Sequence, residues 1–159
     1  MTENKMETIK QEVALQHNEE TSVVNEFGNA NQEIFTSIAD DGTTESKAIV
    51  FNAMNDTDYS LRDFVGQVIK IKDFVAHKVE LVDENTGEKT RQTRCVFIDE
   101  NGKTYGTISK GINQSMINLF GTVGFPNTWE NPIPLKIMEK KGRKGYRFLT
   151  IGLAFEQMD

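Results

Sequence analysis

RQTRCVFIDENGKTYGTISK, residues 91–110, is the stretch on which the fold turns. Residues 91–98 alternate side chains and carry Val96, Phe97 and Ile98, the pattern of a half-buried strand with one face free for Arg91 or Arg94. Asp99-Glu100-Asn101-Gly102 then supplies a tight reversal, because Asn and Gly tolerate positive φ. Residues 103–109 pair back as a second strand and bring Tyr105 beside the arginines. An aromatic face next to guanidinium groups on a sheet can stack a nucleobase while holding its phosphates. Alone, the same stretch also fits an ordinary surface hairpin, since exposed Arg and Tyr are common.

Toward the N-terminus, residues 67–82 form a long β-branched run whose length predicts a strand that bends to serve two sides of a barrel. Residues 83–88 contain Asn-Thr-Gly, a turn into the next strand. EIFTSIA and KAIVFNAM, separated by DDGTTES, are expected to make a hairpin over residues 33–54. Residues 55–66 connect, with Tyr59, Leu61, Phe64 and Val65 available to plug a core.

Toward the C-terminus the period changes. Ser109 can cap a helix whose Ile112, Met116, Leu119 and Phe120 fall on one apolar face, with Gly121 expected at its left-handed end. Residues 122–133 read as an irregular loop in which Trp129 packs against the core. PLKIMEKK, the turn Gly142-Arg143-Lys144-Gly145 and YRFLTIGLAF make a hairpin with a basic tip, Leu149, Ile151 and Leu153 facing inward. From residue 67 the order is long strand, strand, strand, helix, strand, strand. That is the order of a five-stranded OB barrel, so the expected fold is mostly β and OB-like, with the 33–54 hairpin added at its edge.

The 159 residues suit one domain with a tail: a mobile, disordered acidic arm over 1–29 and an OB-like domain over 30–159. Net charge is −6, unevenly spread. Residues 1–29 hold six Glu against Lys5 and Lys10, whereas residues 134–147 hold six bases against Glu139, so positive charge is gathered near the C-terminus. Mean hydropathy is −0.49. No apolar run approaches a membrane span or a signal core, which predicts a soluble, cytoplasmic protein. A single cysteine and two distant histidines assemble neither a disulfide framework nor a zinc site, and no cofactor is expected. Without a metalloprotease HExxH, a phosphate-binding glycine loop or a nucleophile beside a base, catalysis is not expected.

The succession KAIVFNAM, SLRDFVGQVIKIKDFVAHK, CVFIDENGKTYGTISKGI and LKIMEKKGRKGYRFLTIGL resembles the single-stranded DNA-binding replication proteins of small protein-primed phages of Gram-positive bacteria, which are similar to helicase accessory proteins of conjugative elements. Its most specific part is Phe97, Asp99, Gly102, Tyr105, Ile108, Ser109 and Lys110. The resemblance covers residues 33–154 and implies an OB-like fold, sequence-independent cover of single strands in phage or mobile-element DNA replication, and no enzyme activity. It carries the aromatic contact role over to Tyr105. Where the family often has Tyr, this chain has His77.

The expected site follows. Bases stack on Tyr105 and on one or more of Phe74, His77, Tyr146 and Phe148. Lys70, Lys72, Arg91, Arg94, Lys110, Lys140, Arg143, Lys144 and Arg147 follow the phosphates. Period-two geometry cannot put all of them on one face, and Phe74 and Phe148 fit a core equally well. The acidic arm is expected to compete with DNA for the basic groove or to dock a DNA polymerase or helicase. A reading of another class keeps the OB scaffold but gives it a host or replication protein as partner.

Overall fold

In a computed structural model of the chain, residues 33–158 are described; the acidic arm expected over 1–29 lies outside them. The described residues form one seven-stranded sheet with two α-helices. The elements are β1 (Ile34–Thr36), α1 (Thr44–Asn55), β2 (Tyr59–Ser60), a 3-10 turn (Leu61–Phe64), β3 (Val68–Val82), β4 (Lys89–Asp99), β5 (Thr104–Thr107), α2 (Lys110–Val123), β6 (Ile133–Lys141) and β7 (Arg147–Leu153). Sheet order is β2-β5-β4-β3-β6-β7, with β1 also on β3.

β3 organises the sheet. Its first residues, Val68 to Ile71, pair with β6, and Val75 to His77 pair with β1, while β4 accompanies it along nearly its whole length. The change of partner follows a bulge between Ile71 and Asp73, which leaves Lys72 as the extra residue and bends the strand. The strand–strand–strand–helix–strand–strand order is therefore present. Among the described residues no ladder joins β5 to β7, so the sheet curls into a half-barrel and stays open along that seam.

The concave side holds the main core: Ile71, Phe74, Cys95, Phe97, Tyr105, Ile112, Met116, Leu135, Ile137 and Leu149, among others. Ser109 starts α2 by accepting the Ile112 N–H. The helix runs past Gly121 and ends at Gly124, whose φ of 81° supplies the left-handed residue expected three positions earlier. Trp129 packs on the core and its indole N–H reaches the carbonyls of Val123 and Gly124, 3.1 Å from each.

The expected hairpin over 33–54 is corrected: only Ile34–Thr36 is a strand, and KAIVFNAM lies within α1. The strand-favouring trio Ile49, Val50 and Phe51 falls short of a strand for two physical reasons. Thr43 caps the segment by accepting the Ser46 N–H at 3.2 Å. The convex face of the sheet also needs cover, and Ser46 and Ala53 of α1 turn inward, Ala53 joining Val75, Val96 and Ile98 with Ile38 and Met54 at the margin. Burying each such Val or Ile is worth about 1.5–3 kcal/mol.

Candidate nucleic-acid interface

The open seam between β5 and β7 is a cavity of about 660 Å³. Four pieces of chain line it: residues 57–60 and Arg62 from the connector, Gln92 and Arg94 of β4, residues 106–111 from β5 into α2, and Arg147, Phe148 and Leu149 of β7. Its charged side chains are Arg62, Arg94, Lys110 and Arg147 against Asp58. Asp58 is engaged elsewhere: it accepts the Thr104 backbone N–H at 3.0 Å and the Thr104 hydroxyl at 3.1 Å, and the backbone bond chiefly holds its carboxyl below the ordinary value. The cavity is thus predominantly cationic.

Two aromatic residues line it. Phe148, 42% exposed, is the second residue of β7, where Lys140 is its partner across the ladder. Tyr59, 41% exposed, belongs to β2, whose two residues pair in parallel with Tyr105 and Gly106. Its ring is held by Phe64 and Tyr105, with centroids 5.2 and 5.3 Å away. Gly111 brings α2 against β7: a Cβ there would collide with the Leu149 carbonyl oxygen. That close approach fixes Lys110 and Phe148 on one cavity wall.

Three of the expected stacking residues lie off the cavity wall. Tyr105 is only 6% exposed, because it stands opposite Phe97 in the ladder and shares its inward face. Its hydroxyl donates to Asp99 Oδ2 at 2.8 Å, and burial, followed by that carboxylate, raises the phenol's pKa. Asp99 Oδ1 meanwhile accepts the N–H groups of Asn101 and Lys103, so Tyr105 braces the turn at 99–102. Phe74 is a core residue in edge contact with Phe97. His77 is buried on the convex face opposite Arg94, where burial and then the guanidinium hold its pKa below 6.5. None of the three presents a ring face to the cavity.

Arg94 reaches the cavity with its charge already in use. Its Nη1 donates to the carbonyls of Ala53 and Met54 at 3.0 and 3.1 Å, and its Nη2 donates to Thr57 Oγ1 at 3.2 Å. It therefore satisfies the last carbonyls of α1. Of the other expected phosphate contacts, Lys110 and Arg147 line the cavity. Lys140, Arg143 and Lys144 are exposed on the adjoining hairpin tip with Tyr146, outside the cavity wall. Lys70, Lys72 and Arg91 lie on other parts of β3 and β4 and do not line it.

Tyr59 and Arg62 are the residues that the sequence did not point to. Both sit in a connector whose two-residue parallel pairing with β5 leaves no periodic trace. Tyr105 did carry a signal: a reversal that sets Ile98 opposite Thr104 puts Tyr105 opposite Phe97, on the core face.

Among the described residues no three of His, Cys, Asp and Glu gather as a metal site, and no helix is long and apolar enough to cross a membrane. In comparison with known proteins, the family described as phage single-stranded DNA-binding protein matches residues 29–154. The chain is also 29% identical over 108 residues to the single-stranded DNA-binding protein of Bacillus phage GA-1, an alignment covering 65% of this chain and 63% of that relative's length. No solved structure gives a significant match.

Proposed function

This chain belongs to the phage single-stranded DNA-binding protein family, and from that premise we propose that it binds single-stranded DNA without sequence preference, coating strands exposed during phage or mobile-element replication in the host cytoplasm. The observation that carries this reading is the seam between β5 and β7, lined by the partly exposed aromatic residues Tyr59 and Phe148 together with Arg62, Lys110 and Arg147. Bases stack on the two rings, which accept any base because every base has a π-face. The cations follow the phosphates, and the exposed tip with Lys140, Arg143, Lys144 and Tyr146 extends the positive path beyond the cavity. The protein acts by binding alone, with no catalytic step. We place a polymerase or helicase partner on residues 1–29, whose six glutamates suit a basic docking surface, and the binding domain on the residues after them.

The test is a titration of fluorescein-labelled dT, dA and mixed-sequence oligomers of graded length, read by anisotropy. Similar affinities across sequences, with a lower length limit, are expected. Failure to bind any single strand, or clear preference for one sequence, would overturn the reading.

A further inference from the structure

We propose that Arg62 and Arg147 form a phosphate subsite which the carboxylate of Glu139 occupies in the free protein and yields to a DNA phosphate on binding. The inference rests on the single-strand reading above and names the group that tunes that site. Arg147 Nη1 donates to Glu139 Oε1 at 3.0 Å, and Arg62 Nη1 stands 3.9 Å from Glu139 Oε2. Each carboxylate oxygen thus faces a different guanidinium, one from the 3-10 turn after β2 and one from the start of β7. Two oxygens of one anion shared between two planar donors is also how a phosphodiester presents its non-bridging oxygens to arginine.

Position decides which anion can be exchanged. Both arginines line the cavity and their side chains are 65% and 72% exposed, while the Glu139 side chain is 24% exposed and does not line it. A phosphate entering the seam meets the guanidiniums from the open side. Ion pairs this exposed are weak, so trading the carboxylate for a phosphate costs little. Asp58, the carboxylate on the cavity wall, is held by Thr104 and forms no such bridge. Glu139 is the resident competitor, lowering affinity and lowering the number of ions released, because the displaced carboxylate takes up a cation.

The experiment compares wild type, E139Q and the double variant E139Q/R147Q, each with labelled dT oligomer over a salt series. E139Q is expected to bind up to about fivefold more tightly at low salt, the scale of an exposed ion pair. Its log–log salt slope is expected to be steeper by about 0.7, one further cation released from a single strand. The gain should vanish when Arg147 is also removed. An E139Q that binds equally or more weakly while wild type binds would overturn the exchange and leave Glu139 as a brace for the arginines. A wild type that ignores dT would overturn the single-strand reading, and the exchange with it. Thermal unfolding of all three proteins separates binding changes from loss of fold.

Discussion

Gly106 of β5 lies beneath the guanidinium of Arg94 of β4: a Cβ built on the glycine would stand 2.7 Å from Arg94 Nη2 and 3.0 Å from Thr57 Oγ1. The missing side chain lets a cation cross the strand and reach the end of α1, where it holds two carbonyls. Burial draws the Arg94 pKa below its ordinary value, against the pull of Asp56, yet guanidinium stays charged, so these bonds are charge-assisted.

Gly106→Ala should push Arg94 off α1 and destabilise the protein by about 1–2 kcal/mol, the loss of one or two such bonds. Urea unfolding followed by circular dichroism measures it. An unmoved midpoint would show that α1 is held without Arg94.

Tyr59→Ala and Phe148→Ala should each weaken binding of every oligonucleotide by about 1–3 kcal/mol. Tyr105→Phe should behave differently: it removes the bond to Asp99, lowers stability by about 1–2 kcal/mol, and leaves the affinity of the folded protein nearly intact. Anisotropy titrations beside unfolding curves distinguish them. A Tyr105→Phe protein of normal stability and weakened binding would return Tyr105 to the site.

Tyr105 and Tyr59 differ in how much of their placement is written in local sequence. The strand order was legible because the β-branched run 68–82 and the reversal at 99–102 announce themselves locally. The helical period of Ile112, Met116 and Leu119 was equally plain. α1 was hidden, since Ile49, Val50 and Phe51 favour a strand by local preference while the cap at Thr43 and the uncovered convex face favour a helix. The site was half legible. Lys110, Arg147 and Phe148 fall where a basic hairpin and a helix start predict, but Tyr59 and Arg62 reach the seam only through a pairing of two residues.

His77 gives a pH dependence with a definite sign. Its folded pKa lies below the unfolded value of 6.5, through burial first and the charge of Arg94 second. The folded state therefore binds fewer protons than the unfolded chain in the window below 6.5. Its contribution is fully present above that value and is lost as pH falls toward the folded pKa. Urea midpoints taken from about pH 8 to pH 5 should decline for wild type and decline less for His77→Gln. Parallel declines would assign the acid sensitivity to other groups.

Cys95 should be silent in the folded protein. It is fully buried in the concave core, and burial pushes its thiol up to about 12, so neither access nor thiolate is available near neutral pH. A chromogenic disulfide reagent at pH 8 should leave it untouched until urea unfolds the chain. Fast reaction in native buffer would mean that the β3–β4 core opens without global unfolding.

Salt dependence measures how many cavity cations meet DNA. Of the four on the wall, Arg94 is committed to α1, leaving Arg62, Lys110 and Arg147. At roughly 0.7 per phosphate for a single strand, three contacts give a slope of about −2, and uptake of one cation by the displaced Glu139 brings wild type to about −1.5. Lys110→Gln should reduce that magnitude by about 0.7, one contact removed. Lys70→Gln and Lys72→Gln should leave it unchanged, because neither side chain lines the seam. The tip cations Lys140, Arg143 and Lys144 decide the remaining case: if they also touch phosphates, the wild-type slope should approach about −3.5, with neutralised tip variants returning it to −1.5 or so. A short oligomer that fits only the seam should give the shallow slope and a longer one the steep slope, so the two lengths together locate where the strand runs.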